Sequence, residues 1–308
     1  MNRLKNKTVL GYLFSILAGL LWGVSGNCGD LLFRDYGISV EFLVTWRLIA
    51  TGGLMLLFLL IRKKPIFTIW KNKKDMAVLI GFALLGMIGV QYFFFLTIRY
   101  SNAATATVIQ YIAPIFIVIW TAICAKKLPH ISELLGVLLA FFGIYLFATG
   151  GNFHTLAIST LALVFGIISV FGLVFYMLLP VGIVGKYGTS LVVGWGMLLA
   201  GIVMLLTTGF PKSGITWDMR AALLYAFLIL FGTLIAFTIF IKSIQLIGAA
   251  KAGILSCMEP FSSVIVSVVW LGERFTLADY LGFACIIIAV TLISMLDLRK
   301  TPVSTRVA

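Results

Sequence analysis

Apolar residues fall in long blocks along this chain, and polar residues gather in the stretches between them. A helix that crosses a bilayer takes about 20 predominantly apolar residues. Ten blocks answer that description: 9–29, 41–61, 76–98, 103–123, 132–149, 154–178, 188–208, 220–242, 249–270 and 277–296. They predict an all-α membrane protein of ten transmembrane helices, with short tails at 1–8 and 297–308. No connection between the spans is long enough for a soluble catalytic or receptor domain.

Composition agrees with the pattern. Of 308 residues, 62% are hydrophobic and 11% are charged, whereas a soluble domain is nearer half apolar and a quarter charged. Polar groups this sparse would not cover a soluble protein, and lipid requires no such cover. The 30 glycines fit as well, because small residues let membrane helices approach closely. The first block follows a basic stretch, as the core of a signal peptide would. Its span length, with no small-residue cleavage site after it, predicts an uncleaved first helix. Cys28, Cys124, Cys257 and Cys285 lie in or at the edges of spans without metal-like spacing, which reads as buried free thiols.

A formal charge of +13 raises nucleic acid as a partner, and the placement of the charges argues against it. With the N-terminus in the cytoplasm, 17 Lys and Arg fall on the inner side, among them Lys63, Lys64, Lys71, Lys73, Lys74 and Lys186. Only five fall outside: Arg34, Arg99, Lys212, Arg220 and Arg274. This is the positive-inside pattern, and it puts both termini in the cytoplasm. Membrane lipid, not nucleic acid, is the partner this charge implies.

The chain also resembles itself. Ala106 to Phe147 lies on Ala252 to Ile293 without a gap at an offset of 146, which sets Pro114 on Pro260 and Gly136 on Gly282. The same offset brings Gly86 onto Gly232. An offset of 149 sets Trp46 on Trp195, Gly23 on Gly172 and Gly52 on Gly201. The basic loop at 62–75 absorbs the difference. Two repeats follow, 9–149 and 154–296. Each holds five spans, an odd number, so the second enters the membrane inverted, a common build for secondary transporters. Chance likeness between apolar helices is the alternative.

Leu20-Leu21-Trp22-Gly23, followed by Trp46-Arg47, resembles the start of an EamA repeat. Glu259-Pro260 through Leu271-Gly272-Glu273-Arg274 to Leu281-Gly282 resembles its end. The chain is thus similar to the EamA family of the drug/metabolite transporter superfamily over about 11–148 and 157–295. The first repeat departs from the pattern, carrying Ala125-Lys126-Lys127-Leu128 where the Gly-Glu turn would sit. The resemblance implies two inverted five-helix repeats around a central cavity, alternating access and export of a small metabolite. Similar members include amino-acid exporters; others carry nucleotide sugars, phosphorylated sugars or drugs, so the fold does not name the substrate.

A charge at membrane depth costs about 2.5–3.5 kcal/mol on insertion scales, so each one needs a reason. Arg47 lies about six residues into the second span. Its planar fork of donors suits a substrate carboxylate; pairing with Asp30 or helix carbonyls is the structural alternative. Glu259, beside Pro260, is the acid deep inside a span. It is a candidate for proton coupling, against hydrogen bonding to carbonyls freed by the proline. Asn27, Gln91 and Gln110 share the outer half of the membrane with Arg47 and line one side of an expected polar pocket, interhelical hydrogen bonding being the other reading. Trp22, Tyr92, Tyr111, Tyr176 and Trp195 lie away from span ends and are candidate cavity walls, with helix packing and lipid contact as alternatives. Pro114 and Pro260 bend equivalent helices, as hinges or static kinks.

No phosphate-binding glycine loop is present, so ATP hydrolysis is not expected. His130 and His154 lie at span edges without carboxylate partners, so neither a metal nor any other cofactor is expected. The reading is a non-enzymatic secondary transporter of the bacterial cytoplasmic membrane. It exports a small metabolite, amino acids or their relatives leading, with protons as a candidate coupling ion. Drugs or other organic solutes are the alternative cargo. A non-transporting membrane receptor or assembly protein is the alternative from another class, and both a monomer and a homodimer are compatible.

Overall fold

Backbone N–H and C=O groups find no water inside a bilayer, so each apolar block must satisfy them within itself, as a helix does. The computed structural model describes residues 2–110, 112–113, 116, 135, 138–139, 142–143, 145–146, 158–247, 252, 255–256 and 258–300. Every regular element among the described residues is helical. In chain order these are α1 (Asn2–Asp35), α2 (Val40–Ile61), α3 (Lys73–Tyr100) and α4 (Ala103–Gln110). Next come α5 (Thr160–Leu178), α6 (Val181–Tyr187) and α7 (Thr189–Thr208). The helix α8 is a composite of Met219–Ile229, Leu230–Ile235 and Ala236–Ile247, followed by α9 (Met258–Val269) and α10 (Leu277–Lys300). Among the described residues six helices are long and apolar enough to cross a membrane: Thr8–Asp35, Val40–Ile61, Lys73–Tyr100, Thr160–Leu178, Thr189–Thr208 and Met219–Phe240. The expected span at 132–149 and the latter part of that at 103–123 lie largely outside the described residues.

Polar residues set where the helices begin. Ser39, Asn72, Ser159 and Asp218 occupy the N-caps of α2, α3, α5 and α8, each side chain accepting a backbone N–H of the first turn. Such caps satisfy donors that the helix itself leaves free. At its far end α7 stops on Gly209, whose φ of +70° is the left-handed conformation glycine takes without strain.

The outer faces of the helices are apolar as well as the core. On α5 the buried face holds Ala162, Gly166, Ser169, Val170, Gly172 and Val174, while Leu161, Val164, Ile168, Phe171 and Phe175 stand exposed at helical spacing. Large apolar side chains facing outward and mostly small ones at the close helix contact is the arrangement lipid favours.

Helix pairing follows the internal offsets. The most extensive pairs are α2 with α7, α3 with α5, and α1 with both α8 and α9. Where α2 crosses α7, a Cβ on Gly52 would lie 2.5 Å from the Leu198 nitrogen, and one on Gly201 would lie 2.9 Å from the Ile49 nitrogen. An offset of 149 turns Gly52 into Gly201 and Ile49 into Leu198, so the two contacts are one contact made twice, reciprocally. Only glycine allows two backbones this near.

Both α3 and α8 contain a π-helical turn, at Phe82–Ile88 and Leu230–Ile235 respectively. Adding 146 to the first range gives 228–234, and Gly86 and Gly232 fall within the paired turns. Each of these glycines faces a helix of the other half: Gly86 meets the Tyr176 backbone on α5, and Gly232 meets Ser25 on α1. Single π turns are uncommon and often mark functional positions.

Candidate functional site

Arg47 sits on α2 one turn after Leu43, and only 4% of its surface is exposed. Its Nε donates to Thr233 Oγ1 at 2.6 Å. Thr233 belongs to the π turn of α8, and its hydroxyl donates in turn to the Leu228 carbonyl at 2.9 Å, five residues back. One turn before Arg47, the Tyr225 hydroxyl of α8 donates to the Leu43 carbonyl at 3.3 Å. The guanidinium carbon lies 4.9 Å from the centre of the Phe95 ring on α3, a cation–π distance. Phe95 is also the ring against which Gly29 of α1 rests. Arg47 therefore occupies a junction of α1, α2, α3 and α8.

The junction has donors to spare. Arg47 Nη1 is buried and has no hydrogen-bond partner among the described residues. The same holds for Gln91 Nε2, one turn before Phe95 on α3, and for the indole nitrogen of Trp22 on α1. An unpaired buried donor on a charged group is costly, and the Arg47 Nη1 donor calls for an anionic or carbonyl oxygen. Asp30, the expected structural partner, is taken: it accepts from Arg34 Nε at 2.8 Å and from the Ala103 N–H at 3.3 Å. Arg34 also pairs with Glu273 at 2.5 Å.

Beside this junction lies an aromatic cluster. The Trp22 ring meets Phe237 edge-on at 5.1 Å and Phe240 at 4.9 Å. Tyr176 of α5 stacks on Phe82 at 5.6 Å and meets Phe237 at 6.0 Å. Phe237 thus joins Trp22 to Tyr176 across the bundle.

The remaining expected residues are spread more widely. Asn27 is fully buried and satisfied: its amide donates to the Gly23 and Ser263 carbonyls at 2.9 and 3.1 Å, and its oxygen accepts from Ser267 at 2.7 Å. It fastens α1 to α9. Gln110 of α4 donates to the Val90 carbonyl at 3.4 Å, beside Gln91. The Tyr92 hydroxyl donates to Glu41 at 2.7 Å in the first turn of α2. Trp195 stands away from the junction, its indole donating to the Ile66 carbonyl at 2.8 Å and its ring edge-on to Trp70. Glu259 is half-buried in the first turn of α9, whose backbone there lies against Gly19 and Gly23 of α1. Pro260 is buried and borders an apolar cleft of about 340 Å³ with Phe261, Val264 and Tyr280. Tyr111 and Pro114 lie outside the described residues.

Thr233 escaped the sequence reading because its hydroxyl matters through a π turn that leaves no compositional mark. The loop contacts escaped it too. The Tyr36 hydroxyl, between α1 and α2, donates to both Asp218 oxygens at 3.0 Å. The Tyr187 hydroxyl, at the end of α6, donates to Asp75 at 2.7 Å. The Asp218 carboxyl is held below the usual carboxylate range, first by the Ala221 N–H and then by the Tyr36 hydroxyl and Arg220. The Lys186 ammonium is held above its usual value by the Asp75 carboxylate. Among the described residues no group of three or more His, Cys, Asp or Glu side chains converges as a metal would require.

Comparison with known proteins sets these features in a family. The family model described as the EamA-like transporter family matches residues 9–149 and again 160–295. The uncharacterized inner membrane transporter YicL of Salmonella typhimurium is 40% identical over 292 residues, covering 94% of this chain and 96% of that one. The uncharacterized transporter YcbK of Bacillus subtilis is 26% identical over 251 residues, covering 80% of each chain. A solved crystal structure superposes with a TM-score of 0.64 at 17% identity over 95% of this chain and 99% of that one, a likeness of fold alone. Two family matches in tandem, a full-length relative and an all-helical bundle with an apolar exterior agree: this chain is a multi-pass membrane protein belonging to the EamA-like transporter family.

Proposed function

We propose that the protein is a secondary transporter of the bacterial cytoplasmic membrane that exports a small carboxylate-bearing metabolite, amino acids and their relatives being the leading class. Its ten spans form two inverted five-helix repeats, both termini lie in the cytoplasm, and the cargo crosses by alternating access. The reciprocal contact of Gly52 and Gly201 and the paired π turns support the repeat. The lysine-rich loop between α2 and α3 supports the orientation.

One observation carries the cargo assignment: a buried guanidinium whose Nη1 has no acceptor among the described residues, with a second unpaired donor, Gln91 Nε2, one turn before the Phe95 ring that the guanidinium faces. A carboxylate answers that surplus with a charge-assisted, directional bond. The aromatic cluster of Trp22, Tyr176 and Phe237 favours a second reading, an organic solute with an apolar body. Glu259 is the group proposed for proton coupling, and Glu259→Gln tests it: transport with an unchanged pH profile would exclude the role.

Reconstitution into liposomes tests the whole. Counterflow with a panel of amino acids and their amides should be protein-dependent for the acids and weaker for the amides. Arg47→Gln should abolish that preference. Absence of flux for every solute in a broad panel would instead leave a membrane receptor or assembly protein.

A further inference from the structure

Opposite ends of the bundle carry the same fastening in mirrored form. At the start of α2, Tyr36 lies in the connection between α1 and α2 and bonds the Asp218 carboxylate that caps α8. At the other end, Tyr187 lies in the connection between α5 and α7 and bonds Asp75 in the first turn of α3. The 22 residues of α2 separate these ends by about 33 Å at 1.5 Å per residue. Asp218 and Asn72, the caps of α8 and α3, are themselves 146 positions apart. An ion pair accompanies each tyrosine: Arg220 with Asp35 at 3.0 Å, and Lys186 with Asp75 at 2.5 Å.

A tryptophan doubles each fastening. Trp46 of α2 donates to the Pro211 carbonyl at 3.1 Å, in the loop that leads into α8. Trp195 of α7 donates to the Ile66 carbonyl at 2.8 Å, in the loop that leads into α3. Trp46 and Trp195 are equivalent at the offset of 149. At each end, then, the first two spans of one half grip the entry to the third span of the other.

We propose that Tyr36–Asp218 and Tyr187–Asp75 are the two latches of the transport cycle, both engaged in this structure and each closing one end, with release of one holding the other more firmly closed. This rests on the alternating-access reading given above. The bonds suit the task because they lie at exposed or half-buried positions, where water replaces a broken partner at once. A permanent fastening in the same bundle looks different, as the fully buried set around Asn27 does. Coupling between the ends follows from geometry. The halves meet backbone to backbone where Gly52 and Gly201 cross, so a tilt that opens one end about that crossing narrows the other.

Hydrogen exchange on the full chain in lipid nanodiscs tests this without any knowledge of the cargo. Tyr36→Phe should raise deuterium uptake in segment 209–218 several-fold and lower it in segment 62–72. Tyr187→Phe should do the reverse. If each variant loosens only its own end, or both ends together, the bonds are local fastenings and the proposal fails. Liposome flux, measured separately, keeps the two readings apart. Ends that answer each other in a chain that moves no solute would overturn the transport reading alone. Flux through a chain whose ends do not answer would overturn the latches alone.

Discussion

Arg47 and Thr233 lie 186 positions apart and meet at 2.6 Å, guanidinium Nε on hydroxyl, in a site that admits almost no solvent. The bond ties α2 to the π turn of α8, so it joins the region of the buried cation to the element that surrounds it.

Removing the acceptor should be felt at once. Thr233→Val keeps the shape and deletes the hydroxyl, leaving Arg47 Nε as well as Nη1 without a partner. A hydrogen bond to a charged group contributes about 1.5–3 kcal/mol, and thermal unfolding in detergent should register a loss of that order. Thr233→Ser, which restores the hydroxyl, should recover most of it.

Gly52 and Gly201 should behave alike. Alanine at either would push a methyl into backbone that has no room to yield, and overpacking of this kind costs about 1–3 kcal/mol. Gly53, with nothing within 4 Å of a built Cβ, is the internal control. Gly53→Ala should be neutral or slightly stabilising, since alanine is the better helix former. Melting temperatures of the three variants, measured side by side, decide the matter.

Asn27→Leu should separate a structural from a ligand-binding role at that position. Its amide and oxygen are already engaged by Gly23, Ser263 and Ser267. The substitution should lower the yield of folded protein and the melting temperature, while any cargo affinity of the folded fraction, read by counterflow, stays within about twofold, well short of the tenfold that 1.4 kcal/mol would give.

Acid should loosen the start of α8. The Asp218 carboxyl sits below its ordinary value in the folded protein, so the unfolded chain takes up its proton first as the pH drops. The stabilisation is therefore complete above the usual Asp range, about 3.9, and disappears as pH falls through the lower folded value. Protection of the Ala221 amide, which donates to Asp218 at 2.7 Å, should decline on acidification in the parent chain. In Asp218→Asn it should be insensitive to pH.

The spans were readable because bilayer thickness imposes a length on every apolar run. The block at 41–61 became Val40–Ile61, and that at 188–208 became Thr189–Thr208. The first block, 9–29, grew into Asn2–Asp35, since a helix continues past the apolar stretch wherever nothing stops it. The equivalence of Gly52 and Gly201 was legible as a fixed offset, though not that their helices cross. Partners of polar side chains were not. Asp30 fell to Arg34 one turn away instead of to Arg47 on the next helix, and Asn27 found serines some 240 positions on. Such choices depend on which helix faces come together, and apolar blocks of similar composition do not announce that. Trp195 was expected at the cavity and instead reaches a loop of the other half. Its equivalence to Trp46 was visible, but the task the two share emerges only once both helices are in place.

The crossing of α2 and α7 carries an implication about ancestry. Contacts in which one residue meets a second, while the second's counterpart meets the first's, are what a twofold axis creates between identical subunits. Ile49, Gly52, Leu198 and Gly201 preserve that relation inside a single polypeptide. A shorter protein holding one copy of the unit would carry this surface ready-made for self-association. Joining two such copies in one chain would leave no interface to invent at that point.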